Sequence, residues 1–299
     1  MRIGILVLVI IILALGGYFI YKFFNLDFLK IGQEKSLNVF KSKKGVVPEF
    51  TQDRKLIPKK AETSMRILTV YDNYQARKDL KSDWGFSCLV FLNGKKILFD
   101  TGTSGKILLS NMEKLGVSPQ EIDKVIISHD HLDHFGGLDA FLNQNKKVRV
   151  YVLSALSQTR GIAQNAGAEI IENDAPSKIS EDVFTTGALG TGIKEQSLVL
   201  DTEKGLVVIT GCAHPGIANI VLSVKNQFSD KNIYLVMGGF HLFQTSEAEV
   251  HSIIKSFRDL DVQKVAPCHC TGDSARQLFK EEYGDDFIEN GVGKIIAIE

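Results

Sequence analysis

The sequence predicts an α/β fold of layered mixed sheets, distinct from a doubly wound parallel sheet. Strand-like apolar runs come as hairpins in each half of the chain, turned at Asn93-Gly94 and at Thr202-Glu203-Lys204-Gly205. Beyond each hairpin, strands alternate with segments of helical period. Size is the third indication: 299 residues, 44% of them hydrophobic, can bury one large core with an appendage.

The appendage comes first. Residues 3–21 carry no charge and are rich in Ile, Leu and Val. That length matches the roughly 20 residues needed to cross a bilayer. Tyr18, Phe19, Tyr21, Phe23 and Phe24 gather at its far end, as an aromatic belt would. Ala14-Leu15-Gly16 resembles a cleavage site, but the apolar run continues past it, which favours an uncleaved anchor. We therefore expect an N-terminal transmembrane helix within residues 1–24 and a single-pass protein of the cell membrane. Lys22, Lys30 and Lys35 favour a cytoplasmic domain, whereas the very short amino-terminal tail favours export; the two indications oppose each other. Residues 25–64, lysine-rich with Pro48 and Pro58, read as a juxtamembrane linker, and the globular domain is expected over 65–299.

Within that domain the apolar runs predict strands at 66–71, 86–92, 96–100, 124–128 and 148–153. Helices are expected at 104–115, where Gly116 supplies the stop, and at 138–145. The second half predicts strands at 197–201, 206–210, 232–237, 262–266 and 293–298. Helices fall at 215–227, 246–260 and 276–283, the first with Pro215 in its opening turn.

The chemistry concentrates in His129-Asp130-His131-Leu132-Asp133-His134, which follows the strand 124–128 and precedes Gly136-Gly137. Imidazole and carboxylate together suit divalent zinc, manganese or iron. The spacing places His129 and His131 on one side of an extended segment, so that pair can grip one metal while Asp133 and His134 grip a second. Asp130 points the other way, and its carboxylate is a candidate for assisting proton transfer. Three more apolar strands run into histidines, at Cys212-Ala213-His214, at Phe240-His241 and at Cys268-His269-Cys270. Six of the seven histidines thus stand at strand ends, and convergence at one edge of a layered domain would make a single polynuclear site. His241 is a candidate to contact substrate oxygen or donate a proton. Cys268 and Cys270 alternate about His269 and are expected to pack behind it. Cys212 stands where it could bridge two metals or simply pack; a thiolate there would favour softer metals.

The set LFDTG at 98–102, the hexapeptide and the later strand-end histidines resemble the metallo-β-lactamase superfamily over residues 66–299. The motifs GLVVITGCAHPGI, GGFHL and PCHCTG resemble its branch of 7,8-dihydropterin-6-yl-methyl-4-(β-D-ribofuranosyl)aminobenzene 5'-phosphate synthase-like proteins. The resemblance implies a four-layer αβ/βα sandwich with a metal site at one edge. It implies His129, His131 and His214 around one metal, Asp133, His134 and His269 around another, and Asp100 orienting the ligands from behind. The sequence departs from the common pattern in two places. No histidine precedes the second hairpin, and Cys212 occupies the position of the bridging carboxylate.

These readings imply a membrane-anchored hydrolase holding one or two divalent transition metals, zinc first. Metal-activated water would attack a phosphoester or carbonyl-type small-molecule substrate. The alternatives are a transferase like the branch's pterin-ribofuranosylaminobenzene phosphate synthase, and a non-catalytic metal-dependent sensor or binding module. Lysine plus arginine equals aspartate plus glutamate at 35 each, so no global field favours nucleic acid, and none is expected as a partner. Four cysteines are too few for a disulfide framework in a chain this long.

Overall fold

A computed structural model describes residues 65–298; the expected anchor and linker at 1–64 lie outside the described residues. Among the described residues no helix is long and apolar enough to cross a membrane.

Two mixed sheets form the centre. The first opens as the antiparallel ribbon β1 (Met65–Tyr71), β2 (Ser87–Leu92) and β3 (Lys95–Phe99), turned at Asn93-Gly94 as its sequence requires. It continues in parallel through β4 (Lys124–Ile126), β5 (Arg149–Val152) and β6 (Glu169–Glu172). The second sheet begins with antiparallel β7 (Ser177–Ser180), β8 (Val183–Thr185), β9 (Leu198–Thr202) and β10 (Gly205–Thr210). Parallel strands β11 (Ile233–Gly239) and β12 (Val262–Cys268) complete it. The final strand β13 (Ile295–Ile298) returns to pair with β1 in the first sheet.

Side-chain alternation then fixes the layers. In β3, Ile97 and Phe99 face the second sheet, where they meet Leu198, Val207, Ile209 and Met237. Leu98 faces the other way with Val125 and Val150, onto helices α1 (Gly105–Lys114), α3 (Leu138–Gln144) and α4 (Ser157–Ala166). On the second sheet Leu206 and Val208 turn outward onto α5 (Ile217–Gln227), α6 (Glu247–Asp259) and α7 (Asp273–Tyr283). Each fully buried Leu, Ile, Val or Phe on these faces stabilises by about 1.5–3 kcal/mol. The result is helix, sheet, sheet, helix: the four-layer sandwich. A further helical turn, α2 (Leu132–Phe135), lies inside the hexapeptide itself.

The alternation of hairpin and helix was legible, but residues 154–196 carried no expected element. They hold α4 and the strands β6, β7 and β8, which are only three or four residues long. Strands so short give too few alternations to reveal a period.

The topology gathers the functional segments. β4 runs parallel to β3 and β5, and β10 parallel to β11 and β12, so their carboxyl ends share one edge. The loops after β3, β4, β10, β11 and β12 carry Asp100, the hexapeptide, Cys212 to His214, His241 and His269 respectively. Open α/β sheets place ligands at such carboxyl ends. Glycine makes the close packing possible: a Cβ on Gly136 would lie 2.3 Å from the Thr103 carbonyl oxygen, and one on Gly137 2.3 Å from that of Thr101.

Candidate metal centre

Three imidazole nitrogens converge first. His129 Nε2 lies 3.1 Å from His131 Nδ1, and His214 Nε2 lies 3.2 Å from each. Three nitrogens in a near-equilateral triangle cannot all be satisfied by hydrogen bonds to one another, because one N–H cannot point at two acceptors 60° apart. The spacing instead approaches the ~3.3–3.4 Å between nitrogens that tetrahedral zinc with bonds of ~2.0–2.1 Å would give. Burial, reinforced by the neighbouring imidazoles, pushes His129 well below its ordinary pKa and His214 to about 4. Both are therefore neutral near pH 7, as a metal ligand must be.

A second group adjoins it. His134 Nε2 is 3.1 Å from Cys212 Sγ, and His269 Nε2 is 3.4 Å from that sulfur and 3.3 Å from Asp133 Oδ2. Asp133, His134, Cys212 and His269 thus form one candidate ligand set, while His129, Cys212 and His214 form another. Cys212 belongs to both, and to a third set with His241 and Cys270. Burial would raise the Asp133 pKa, but His269 and His134 outweigh it and keep the carboxylate ionised.

The far side of each ring is held. His134 Nδ1 lies 2.7 Å from Asp100 Oδ2, and Asp100 also accepts from the Ser128 amide and hydroxyl, each at 2.7 Å. Burial disfavours the charged imidazole of His134, yet the Asp100 carboxylate outweighs this and lifts its metal-free pKa to about 9. Ser128 Oγ sits 2.9 Å from His129 Nδ1, and Asn73 Oδ1 sits 2.9 Å from His269 Nδ1. Such partners fix ring orientation and tautomer.

The loop that carries Cys212 is shaped by Glu195. Its buried carboxylate accepts from four consecutive amides, those of Gly211, Cys212, Ala213 and His214, at 2.8–3.1 Å. Burial raises its pKa and the Ala213 and His214 amides pull it down. The strain is local: Asp100, Ala213, His241 and His269 all adopt left-handed backbone, with φ of 58, 62, 56 and 50°. Such conformations cost on the order of 1–3 kcal/mol each and cluster at functional sites.

Two expectations are corrected by the geometry. Asp130 is not in the cluster. Its carboxylate accepts from the amides of Gln158 and Thr159 and from the Thr159 hydroxyl, at 2.6–2.9 Å, and so caps α4. Both oxygens are engaged there, and these hydrogen bonds point away from the histidine cluster. Cys270 does not pack behind His269. β12 ends at Cys268, the chain turns through a 3-10 turn at His269–Thr271, and the alternation is lost. Cys270 Sγ therefore swings to 3.3 Å from Cys212 Sγ, whereas Cys268 stays buried beside Asn290. Burial opposes ionisation of the Cys270 thiol, but its hydrogen bonds with Cys212 and His241 outweigh it and hold it below the usual thiol range, while the bond to Cys270 and burial push Cys212 up.

His241 stands exposed at the rim, its ring 4.5 Å from that of His214, and its hydrogen bond to Cys270 raises its pKa. His251 lies apart, on the exposed face of α6. A cavity of 480 Å³ opens beside His214, lined by residues 189–193, Pro215 and Asn219. Sequence reasoning missed Glu195, Ser128 and Trp84, and misplaced Cys270. Trp84 donates its indole N–H to Asp133 Oδ2 at 2.9 Å. Only its being the chain's sole tryptophan marked it out.

A family model of the metallo-β-lactamase superfamily matches residues 85–269, most of the span that builds both ligand groups. The chain belongs to this superfamily. It is 30% identical over 284 residues to the 7,8-dihydropterin-6-methyl-4-(β-D-ribofuranosyl)-aminobenzene-5'-phosphate synthase of Methanocaldococcus jannaschii, spanning 78% of this chain and 96% of that one. Among solved structures, a metal-dependent hydrolase of the β-lactamase superfamily aligns with a TM-score of 0.67 and 31% identity, over 78% of this chain and 99% of its own. The metallo-β-lactamase fold protein YhfI of Bacillus subtilis, at 15% identity and a TM-score of 0.59, shares the fold over 78% of this chain and 99% of its own. Superfamily membership implies divalent metal binding, and the donor set fits it.

Proposed function

We propose that this chain is a membrane-anchored, metal-dependent hydrolase that cleaves a small molecule at a phosphoester or carbonyl-type centre. The observation that carries the reading is the pair of donor groups sharing Cys212, beside an open cavity at His214. His129, His131 and His214 would hold one divalent metal, and Asp133, His134 and His269 a second, with Cys212 between them. Zinc suits this mixed nitrogen, sulfur and oxygen set best, and manganese or iron are the alternatives. When bound, such ions supply Lewis-acid polarisation and acidify water. The chain's own residues set the stage. His129 and His214 remain neutral, Asp133 remains ionised, and Asp100 and Asn73 hold their histidine partners in one orientation. His241, whose pKa is raised by its hydrogen bond to Cys270, would give a proton to the leaving group.

The synthase reading is kept as the alternative, because the 30% identity to the Methanocaldococcus jannaschii enzyme extends over 96% of that relative. Fold and ancestry do not fix substrate. The anchor at residues 1–24 is supported by the uncharged apolar run 3–21.

The test is a panel of phosphoesters, lactones and pterin substrates offered to the metal-loaded full chain. Turnover that disappears in His131→Ala and Asp133→Ala supports the site. Turnover fully retained in both refutes it, and condensation without hydrolysis favours the synthase. Detergent-dependent extraction from membranes tests the anchor; recovery in the soluble fraction refutes it.

A further inference from the structure

Six large hydrophobic side chains are exposed among the described residues, and four of them border the donor cluster. Trp84 is 48% exposed and Phe243 49% exposed. The Trp84 ring lies 5.1 Å from that of His269, and Phe243 lies 5.6 Å from His241. The two aromatic rings meet edge to face, 6.4 Å apart at 80°. They make a continuous ridge from the second ligand group to the rim histidine. Leu132 precedes the candidate ligand Asp133 in the chain, and Ile193 lines the His214 cavity. In the wall of that cavity Lys194 Nζ donates to the Gly190 carbonyl oxygen.

An exposed tryptophan is normally free to rotate, but this one is not. Its indole N–H is tied to Asp133, and its carbonyl oxygen accepts from the Thr103 hydroxyl. The ring is thus pre-oriented with half its surface left to solvent, the condition under which an aromatic contact loses least entropy on binding. Phe243 is seated too: its Cα would lie 2.7 Å from a Cβ on Gly272, so only glycine allows this approach. Restrained aromatic surface beside a polar centre suits a molecule with a flat aromatic body and one reactive head.

We propose that Trp84 and Phe243 form a recognition platform for an aromatic ring of the substrate, which stacks there while its phosphoryl or carbonyl head reaches the donor cluster. The proposal rests on the hydrolase reading and narrows it to aryl-bearing substrates.

The test compares matched probes on the metal-loaded full chain: phenyl phosphate against methyl phosphate, and benzoate against acetate. Binding is read by calorimetry and by Trp84 fluorescence, which is unambiguous because the chain has one tryptophan. Stacking should make each aryl probe bind about 3- to 10-fold tighter than its alkyl partner and shift the Trp84 emission. Phe243→Ala and Trp84→Ala should bring that ratio toward one. Trp84→Phe should keep most of it, since the ring persists while the N–H to Asp133 is lost. Phe243→Ala removes no donor atom and only a ring contact with the rim His241, so its metal content should match the parent and separate platform from centre. Equal binding within both pairs, a ratio unchanged in both alanine variants, or no binding of any probe overturns the proposal. A parent chain found without metal counts against the hydrolase reading instead, while the aryl-to-alkyl ratio in the same titrations still decides the platform.

Discussion

Replacing Asp100 by Asn changes one charge and, more consequentially, the position of one proton. Asp100 is fully buried, with three partners at 2.7 Å: the Ser128 amide, the Ser128 hydroxyl and His134 Nδ1. An Asn can keep the bond from the Ser128 amide through its oxygen. Its NH2 then faces the Ser128 hydroxyl and His134 Nδ1. His134 must accept at Nδ1 and carry its proton on Nε2, the nitrogen that lies 3.1 Å from Cys212 Sγ. A protonated nitrogen has no lone pair for a metal. Losing such an orienting partner typically costs 10- to 100-fold in metal affinity, about 1.4–2.7 kcal/mol. In metal-free protein the lost charge-assisted bond should cost about 1.5–3 kcal/mol. Competition against a chromophoric chelator reads the first, and urea unfolding the second. An Asp100→Asn protein with parental metal affinity and parental urea midpoint would refute this reasoning.

The same pair predicts a pH profile for the metal-free protein. The His134 pKa is raised from 6.5 to about 9, so its contribution is complete below pH 6.5 and lost as pH rises through 9, a fall on the order of 3 kcal/mol. The His214 pKa is lowered to about 4, so its contribution is present above pH 6.5 and lost as pH falls through 4. Urea midpoints should peak near pH 6.5, and Asp100→Asn should flatten the alkaline limb; a parental alkaline limb in that variant contradicts the assignment. Cys212→Ser should lower bound metal and abolish the sulfur-to-metal charge-transfer band of the cobalt-substituted protein, whereas a retained band would show that Cys212 only packs. Glu195→Gln can keep the Gly211, Cys212 and Ala213 amides on its oxygen but turns its NH2 toward the His214 N–H, and should cost about 1–3 kcal/mol, read by thermal unfolding; an unchanged midpoint would show that the 211–214 loop holds without that fourth bond. Asp130→Ala should cost about 1 kcal/mol, as loss of a helix cap does, with metal content unchanged; a fall in metal content would return Asp130 to the site.

Much of the fold was legible because long strands write a clear period. β10 alternates Val207 and Ile209 inward with Leu206 and Val208 outward, and Asn93-Gly94 specifies its turn locally. The ligand candidates were legible because His and Asp at strand ends are chemically unusual. What escaped was set by tertiary placement. Glu195 looks like any surface glutamate in Lys194-Glu195-Gln196 until the fold brings four amides onto it. Asp130 looked reactive because its neighbours are, yet amides at a helix start 28 and 29 residues away claim its carboxylate. Cys270 was misread because period 2 ends where β12 ends, and the positive φ of His269 reverses the side chain that follows.

The central claim is that these side chains form a metal centre, and elemental analysis tests it most directly. The full chain, purified without added metal and again after chelation and reloading, should contain about one to two divalent transition metals per molecule. His131→Ala and Asp133→Ala should each lower that content while the fold persists. No bound metal in the parent protein, with unfolding unchanged by chelation, would contradict the account.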